Sequence, residues 1–374
     1  MSINPNPNRR DILSFASNGI GAIALGEMLV RDGVARAEDI EDVEGGKKPS
    51  RVVHHPGRVR RVIHIVACGG VSQVDTFDYK PKLESLHGKS LVSEERPDVF
   101  FGQVGLLRKS DWKFRQRGKS GLWVSELFPN LAEQADELTV VRSMYAETSN
   151  HTPATFQQNT GFRLNGFPTA GAWLSYGMGC ETDDLPAYVV IPDPRGLPAG
   201  GSINWTNGFL PAEHQGVTFK SSGTPIRDLK PARDITAETE SASRDLLETL
   251  NREHLEARGT NDLLRARIRS YQLADRMQSV VPQVAKLEDE SKLIHDMYGI
   301  GAEPTNDFGR SCLMTRRLLE KGVRVVQLFS GGAFGSPRIN WDGHEDMVRN
   351  HGREASRIDK PIAGLLRDLR QRGM

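Results

Sequence analysis

Residues 61–78 read RVIHIVACGGVSQVDTFD, and their reading decides the fold. Six of the seven residues from Val62 to Cys68 are apolar, and only His64 interrupts them. Polar and apolar positions do not alternate, so the run predicts a strand covered on both faces, as in the middle of a parallel sheet. It runs into Gly69-Gly70, where missing side chains allow a tight turn and a close approach of backbone to ligand. Ser72, Asp75 and Asp78 follow within eight residues. Open α/β sheets build their sites from such groups, beyond the carboxyl ends of their strands. The plainer alternative is a strand-to-loop connection whose carboxylates are simply solvated.

Working outward, residues 138–141, 187–191 and 323–329 are further short apolar runs. With the first they predict four strands of one largely parallel sheet, with right-handed crossovers placing helices on both faces. Apolar spacing predicts helices over 125–135, 169–178, 307–321 and 358–372. Residues 237–297 are helical in pattern and strongly charged, with Leu246, Leu247, Leu250 and Leu255 marking one face. They read as a helical insertion or cap over the sheet, with a solvated polar face. The expected fold class is therefore α/β.

Length and charge bound the function. A chain of 374 residues holds one large α/β domain or two ordinary ones. Charged residues make up 26% of it but sum to a net charge of +1, so no field favours nucleic acid or an anionic membrane. The three cysteines, Cys68, Cys180 and Cys312, lie far apart and form neither a CxxC pair nor a zinc spacing.

The chain opens with Arg9-Arg10 ahead of a moderately apolar run over 12–30, and Ala35-Arg36-Ala37 supplies a small-residue cleavage pattern. These features predict a twin-arginine export signal over 1–37, read by the twin-arginine translocase, with a polar linker over 38–60. The expected location is then the periplasm or cell envelope. A short amphipathic helix is the alternative, given Glu27, Arg31 and Asp32.

Three polar clusters follow apolar runs. The first is Ser72, Asp75 and Asp78, the second Asn150-His151, and the third Trp341-Asp342-Gly343-His344-Glu345-Asp346 with His351 beyond it. An Asp and a His two apart can face one metal ion, supplying oxygen and imidazole donors suited to zinc, manganese or iron. Parallel strands would deliver all three clusters to one sheet edge. His151-Thr152-Pro153 also fits the start of a helix, whose N-terminus favours an anion. There is no nucleophile elbow and no Walker loop, and Gly299-Ile300-Gly301 lacks a preceding strand.

Several stretches together resemble one bacterial family, the domain of unknown function 1501. They are the arginine-pair opening, VIHIVACGGVSQVDTFDYKPKLESLHGK (62–89), VRSMYAETSNHTPATFQQNTG (141–161), GAWLSYGMG (171–179), GVRVVQLFSGG (322–332) and NWDGHEDMVRNH (340–351). The resemblance places the chain with the sulfatases of the alkaline phosphatase superfamily. It implies an α/β/α sandwich whose divalent metal, zinc, calcium or manganese, serves the hydrolysis of phosphate or sulfate esters. The run from His151 to Thr155, with Asn159-Thr160-Gly161 after it, is similar to the sulfatase nucleophile segment. Here His151 stands at the nucleophile position and Thr155 at the arginine position, and no cysteine is there to become formylglycine. Asp342 and His344 resemble a metal-ligand pair of the superfamily. Family members continue past the last helix into a strand and an Asp-His motif, so the resemblance implies a chain that lacks the family's C-terminal part.

The leading expectation is an exported, metal-dependent hydrolase acting on a small anionic ester or a sulfated glycan. Asp75, Asp342 and His344 are the expected metal ligands, with His151, Asn150 and Ser72 as catalytic groups. The rival is a non-catalytic anion- or glycan-binding envelope protein.

Overall fold

The strands β1 (Val62–Ala67), β4 (Tyr188–Ile191), β5 (Val217–Thr218) and β6 (Val325–Ser330) form one four-stranded sheet in the order β1-β6-β4-β5. Every pairing in it is parallel, and Val326 is flanked by Ile63 on one side and Val189 on the other. A separate antiparallel pair joins β2 (Phe114–Arg117) and β3 (Leu122–Ser125). The computed structural model describes residues 59–92, 104–227, 229, 235–258, 262–333 and 338–374. The expected export signal over 1–37, and the expected linker up to residue 58, lie outside the described residues.

Eight helices among the described residues accompany the strands. They are α1 (Lys82–Leu86), α2 (His151–Thr160), α3 (Ala170–Met178), α4 (Ala237–Arg258), α5 (Asp262–Ala285), α6 (Lys292–Tyr298), α7 (Asn306–Glu320) and α8 (Met347–Gln371). None of the helices among the described residues is long and apolar enough to cross a membrane.

The period-2 geometry of β4 and β6 sends alternate side chains to opposite faces. Val189, Ile191, Val326 and Leu328 pack into one core with buried residues of α5, α7 and α8. Tyr188, Val190, Val325 and Phe329 pack on the other side with Trp205 and Leu174. Apolar residues on both faces are what a sheet sandwiched between two layers requires, which is why these strands lack alternation. The run over 62–68, expected in the middle of the sheet, instead gives an outer strand of the described sheet: β1 pairs only with β6 there, and of its six residues only Val66 is buried. Burial of Leu328, with no accessible surface, contributes about 1.5–3 kcal/mol.

Further expectations need correction. Residues 138–141 make no strand; they follow a 3-10 stretch, Leu131–Glu137, and Val141 stays 61% exposed. The apolar run was too short to guarantee a pairing partner. The helix expected over 125–135 is also absent, because Ser125 ends β3 and the chain then turns into that 3-10 stretch. Its apolar spacing did mark burial correctly, since Leu127, Leu131 and Ala135 are all in the core. The expected leucine face over 237–297 divides. Met277, Val281 and Val284 of α5 are buried, whereas Leu246, Leu247 and Leu250 of α4 stand exposed.

Candidate functional site

Because the sheet is parallel, β1, β4 and β6 release their loops at one edge, and the loops are tied together there. The Cys68 N–H donates to the Ser330 carbonyl at 2.9 Å, and Trp341 N–H returns to the Cys68 carbonyl at 2.7 Å. Asp193, just past β4, accepts from Gly331 N–H at 2.7 Å. The chain after β6 thus folds back over the end of β1 and presents Asp342 at the edge. Gly69 is needed for that approach. It sits at φ 92°, and a Cβ there would lie 2.6 Å from the Asp342 backbone nitrogen. Gly69→Ala is expected to cost roughly 1–3 kcal/mol in backbone strain alone, with more from moving the Asp342 loop. A thermal melt reads the loss; a variant melting with the wild type would show that the loop yields freely.

His151 arrives from a different element. It is the first residue of α2, and Asn150 is the N-cap, its side-chain oxygen accepting from Thr152 N–H at 3.2 Å. The helix is fastened to the sheet by a chain of buried amides. Gln327 of β6 donates to Asn159 across 2.8 Å, and Asn159 donates to Asn204 at 3.0 Å. Tyr188 closes the chain by donating its hydroxyl to Gln327. A buried glutamine in the apolar run of β6 is costly unless bonded in this way, so it fixes where α2 docks.

With α2 so held, His151 Nε2 lies 3.2 Å from Asp342 Oδ2, and His344 Nε2 lies 3.1 Å from Asp342 Oδ1. The carboxylate is nearly buried, while both imidazoles are half or more exposed, so the cluster opens to solvent. The guanidinium of Arg338 also donates to Asp342 Oδ2 and reaches Glu345 at 3.0 Å. The sequence offered no sign of Arg338, whose role depends on the path of a loop. Glu345 is engaged by this arginine, and Asp346 caps α8 by accepting from Arg349 N–H at 3.1 Å.

The first cluster forms a neighbouring layer. Ser72 donates its hydroxyl to Asp75 Oδ2 at 2.6 Å. Ser72 N–H donates to His351 Nε2 at 3.0 Å, so that nitrogen must carry a lone pair, and the proton resides on Nδ1, which faces Asn350 Oδ1 at 3.1 Å. His351 is therefore neutral, and it joins the β1 loop to the start of α8. The sequence grouped His351 with the third cluster but did not foresee this link. Asp78 instead turns to Lys80 at 2.9 Å and to Arg142 at 3.5 Å.

Burial lowers the His351 pKa below the ordinary 6.5, against the opposing charges of Asp75 and Glu354. Burial likewise lowers those of His64 and His214. Depressed folded values mean that the unfolded chain binds the extra protons first. Stability is therefore full above about pH 6.5 and is lost as pH falls toward the folded values. Urea melts at neutral and mildly acidic pH are expected to show this loss, and His351→Gln should reduce its size. An equal loss in the variant would remove His351 from the account.

Cys68, at the end of β1, is no alternative nucleophile, because burial and the nearby Asp193 charge push its thiol up to about 12. The donors of the Asp342 cluster are two imidazole nitrogens and a carboxylate, a set that suits zinc or manganese better than calcium, which prefers oxygen. The imidazoles approach different oxygens of one carboxylate, and among the described residues no three His, Cys, Asp or Glu side chains already form a metal-holding group. Asp75 is bonded to Ser72 in this arrangement.

A parallel sheet covered on both faces, with histidines and carboxylates gathered at its strand ends, defines an α/β protein with a polar edge site. The chain belongs to the family described as protein of unknown function (DUF1501), whose pattern matches residues 59–374. No curated protein and no solved structure matches it.

Proposed function

We propose that the chain is an exported, metal-dependent hydrolase of the sulfatase/alkaline phosphatase class, acting on phosphate or sulfate esters. The observation that carries this reading is the meeting of His151, Asp342 and His344 within 3.2 Å contacts at the sheet edge. Asp342, His344 and His151 would hold the ion. When bound, a divalent ion in this setting stabilises negative charge on the ester oxygens. Ser72 is the candidate nucleophile, because its hydroxyl already donates to Asp75, which can accept the proton. Asn150, as N-cap, holds the first turn of α2, whose free N–H groups favour an anionic group beside His151. The alkaline phosphatase-like fold, the export signal over 1–37 and the periplasmic or envelope location belong to the same proposal.

Arg338 favours a second reading. Its guanidinium already neutralises Asp342, so the edge could bind anions as a non-catalytic protein without any metal. Two measurements separate the readings: competition with a chromophoric chelator for zinc and manganese, and turnover of p-nitrophenyl phosphate and sulfate. Metal binding with turnover that chelation abolishes is the expected result. Phosphate or sulfate binding with neither metal uptake nor turnover would leave the anion-binding protein. If metal, ester and anion all fail to bind, both readings fall.

A further inference from the structure

A groove of about 560 Å³ lies between the loop after β1 and the chain entering β2. One wall comes from the β1 loop, through Val74 and Tyr79, and Val74 adjoins Asp75 in the 3-10 turn Gln73–Asp75. The other wall is the chain entering β2, including Trp112, Lys113, Phe114 and Arg115. Tyr79 stacks on Phe114 with ring centroids 5.0 Å apart and tilts against Trp123 at 4.7 Å. The three rings form a continuous aromatic block, and two of them reach the groove. Trp112, also in the lining, is only partly buried.

Its charges are mixed in a particular way. Lys80, Lys109, Lys113 and Arg115 line it together with Glu84 and Asp111. Lys109 pairs with Glu84 at 3.4 Å, and Lys80 with Asp78 at 2.9 Å. Lys113 and Arg115 have no acidic partner among the described residues, and both are exposed.

We propose that this groove binds an acidic saccharide, one bearing sulfate or carboxylate groups on its rings. A sugar has an apolar C–H face that packs on aromatic rings, and hydroxyls that donate to carboxylates. Tyr79, Trp112 and Phe114 supply the first, and Glu84 and Asp111 the second. Lys113 and Arg115 are left to meet the anionic substituents. Single-stranded nucleic acid also stacks on aromatic rings, but its regular phosphates would meet the two carboxylates unfavourably, and the chain has no excess positive field.

The groove rests on its own lining, so its failure leaves the hydrolase reading standing, and an inactive edge site leaves the groove standing. Calorimetric titration of the full chain in the presence of a chelator tests it. The probes are a heparin-derived tetrasaccharide, an oligogalacturonate, maltotetraose and a short oligothymidylate. Binding of either acidic saccharide in clear preference to maltotetraose and oligothymidylate is the expected result, and which of the two binds better identifies sulfate or carboxylate as the recognised group. The double variant Lys113→Glu/Arg115→Glu should lose about tenfold or more in affinity, because two attractions become repulsions. Should charge reversal lower the melting temperature, Lys113→Gln/Arg115→Gln replaces it, with a loss of about threefold or more expected. Failure of both acidic saccharides to bind, equal binding of maltotetraose, tighter binding of oligothymidylate, or a folded variant with wild-type affinity would each overturn the proposal.

Discussion

Asp342→Asn is expected to cut zinc or manganese affinity by more than about a hundredfold while the protein still folds. The amide keeps the shape of the carboxylate, and its remaining oxygen can still accept from Arg338. It loses the negative charge, however, and half of its oxygen donors become N–H groups that cannot ligate. His151 and His344 then have nothing anionic between them to draw a cation to the edge. Removing a mere supporting partner of a metal ligand typically costs ten- to hundredfold, so if Asp342 is the central ligand proposed above, its loss should exceed that. Folding should survive because Asp342 lies beyond β6, and the strand's own pairings with β1 and β4 do not use its side chain. Chelator competition gives the affinity, and circular dichroism checks the fold. Unchanged affinity in a folded variant would place any bound ion away from this carboxylate.

The largest stability effect is expected at Glu354, on α8. Its side chain has no accessible surface, and it accepts from both terminal nitrogens of Arg195 at 3.0 and 2.7 Å, with Arg353 adding a third contact at 3.0 Å. Arg195 in turn holds Asp193, the residue that receives Gly331 N–H, so the pair ties α8 to the ends of β4 and β6. Glu354→Ala removes one partner of a buried ion pair and leaves a guanidinium short of charge compensation, a loss of about 3–5 kcal/mol. Glu354→Gln keeps the volume and part of the hydrogen bonding, so it should lose less. Urea denaturation orders the two variants. A cost below about 1 kcal/mol for the alanine variant would mean that the pair acts like an exposed one.

The sheet was largely legible because burial on both faces leaves a direct mark. The runs holding β4 and β6 are buried throughout, and each became an inner strand. Because a run does not reveal a strand's place in the order, the run holding β1, which looked the same, became an outer strand among those described, with only Val66 buried. Residues 138–141 carry the same mark and did not, since an apolar run states a preference for burial and says nothing about a partner's position. The β2–β3 pair went unread for the opposite reason: Phe114–Arg117 is mostly polar, with too few apolar positions to show a period. Gly118 and Gly121, both at positive φ between the two strands, were the signal available.

At the site, His151, Asp342 and His344 do meet at one edge, and parallel topology accounts for Asp342 and His344 there. His151 was expected to follow a strand over 138–141 that does not form, and it is the buried amides holding α2 to β6 that bring it in. Arg338 and the Ser72–His351 bond were out of reach, because they depend on loop paths and on one-residue differences in side-chain direction. Asn150 shows how one residue type serves two purposes. A polar side chain ahead of a helix caps it as readily as it meets a substrate, and the sequence is the same in both cases.

The exposed leucines of α4 bear on how the molecule moves. Leu246, Leu247 and Leu250 are each about half exposed or more, so little apolar burial anchors that helix, whereas all six residues of β6 are buried. Local opening free energy follows such burial. The amides of α4 should therefore exchange with solvent deuterium through openings that leave the sheet intact, and those of β6 only through global unfolding. The edge site hangs from the slow part of the molecule, so fluctuations of α4 can run their course without disturbing the relation of Asp342 to its histidines.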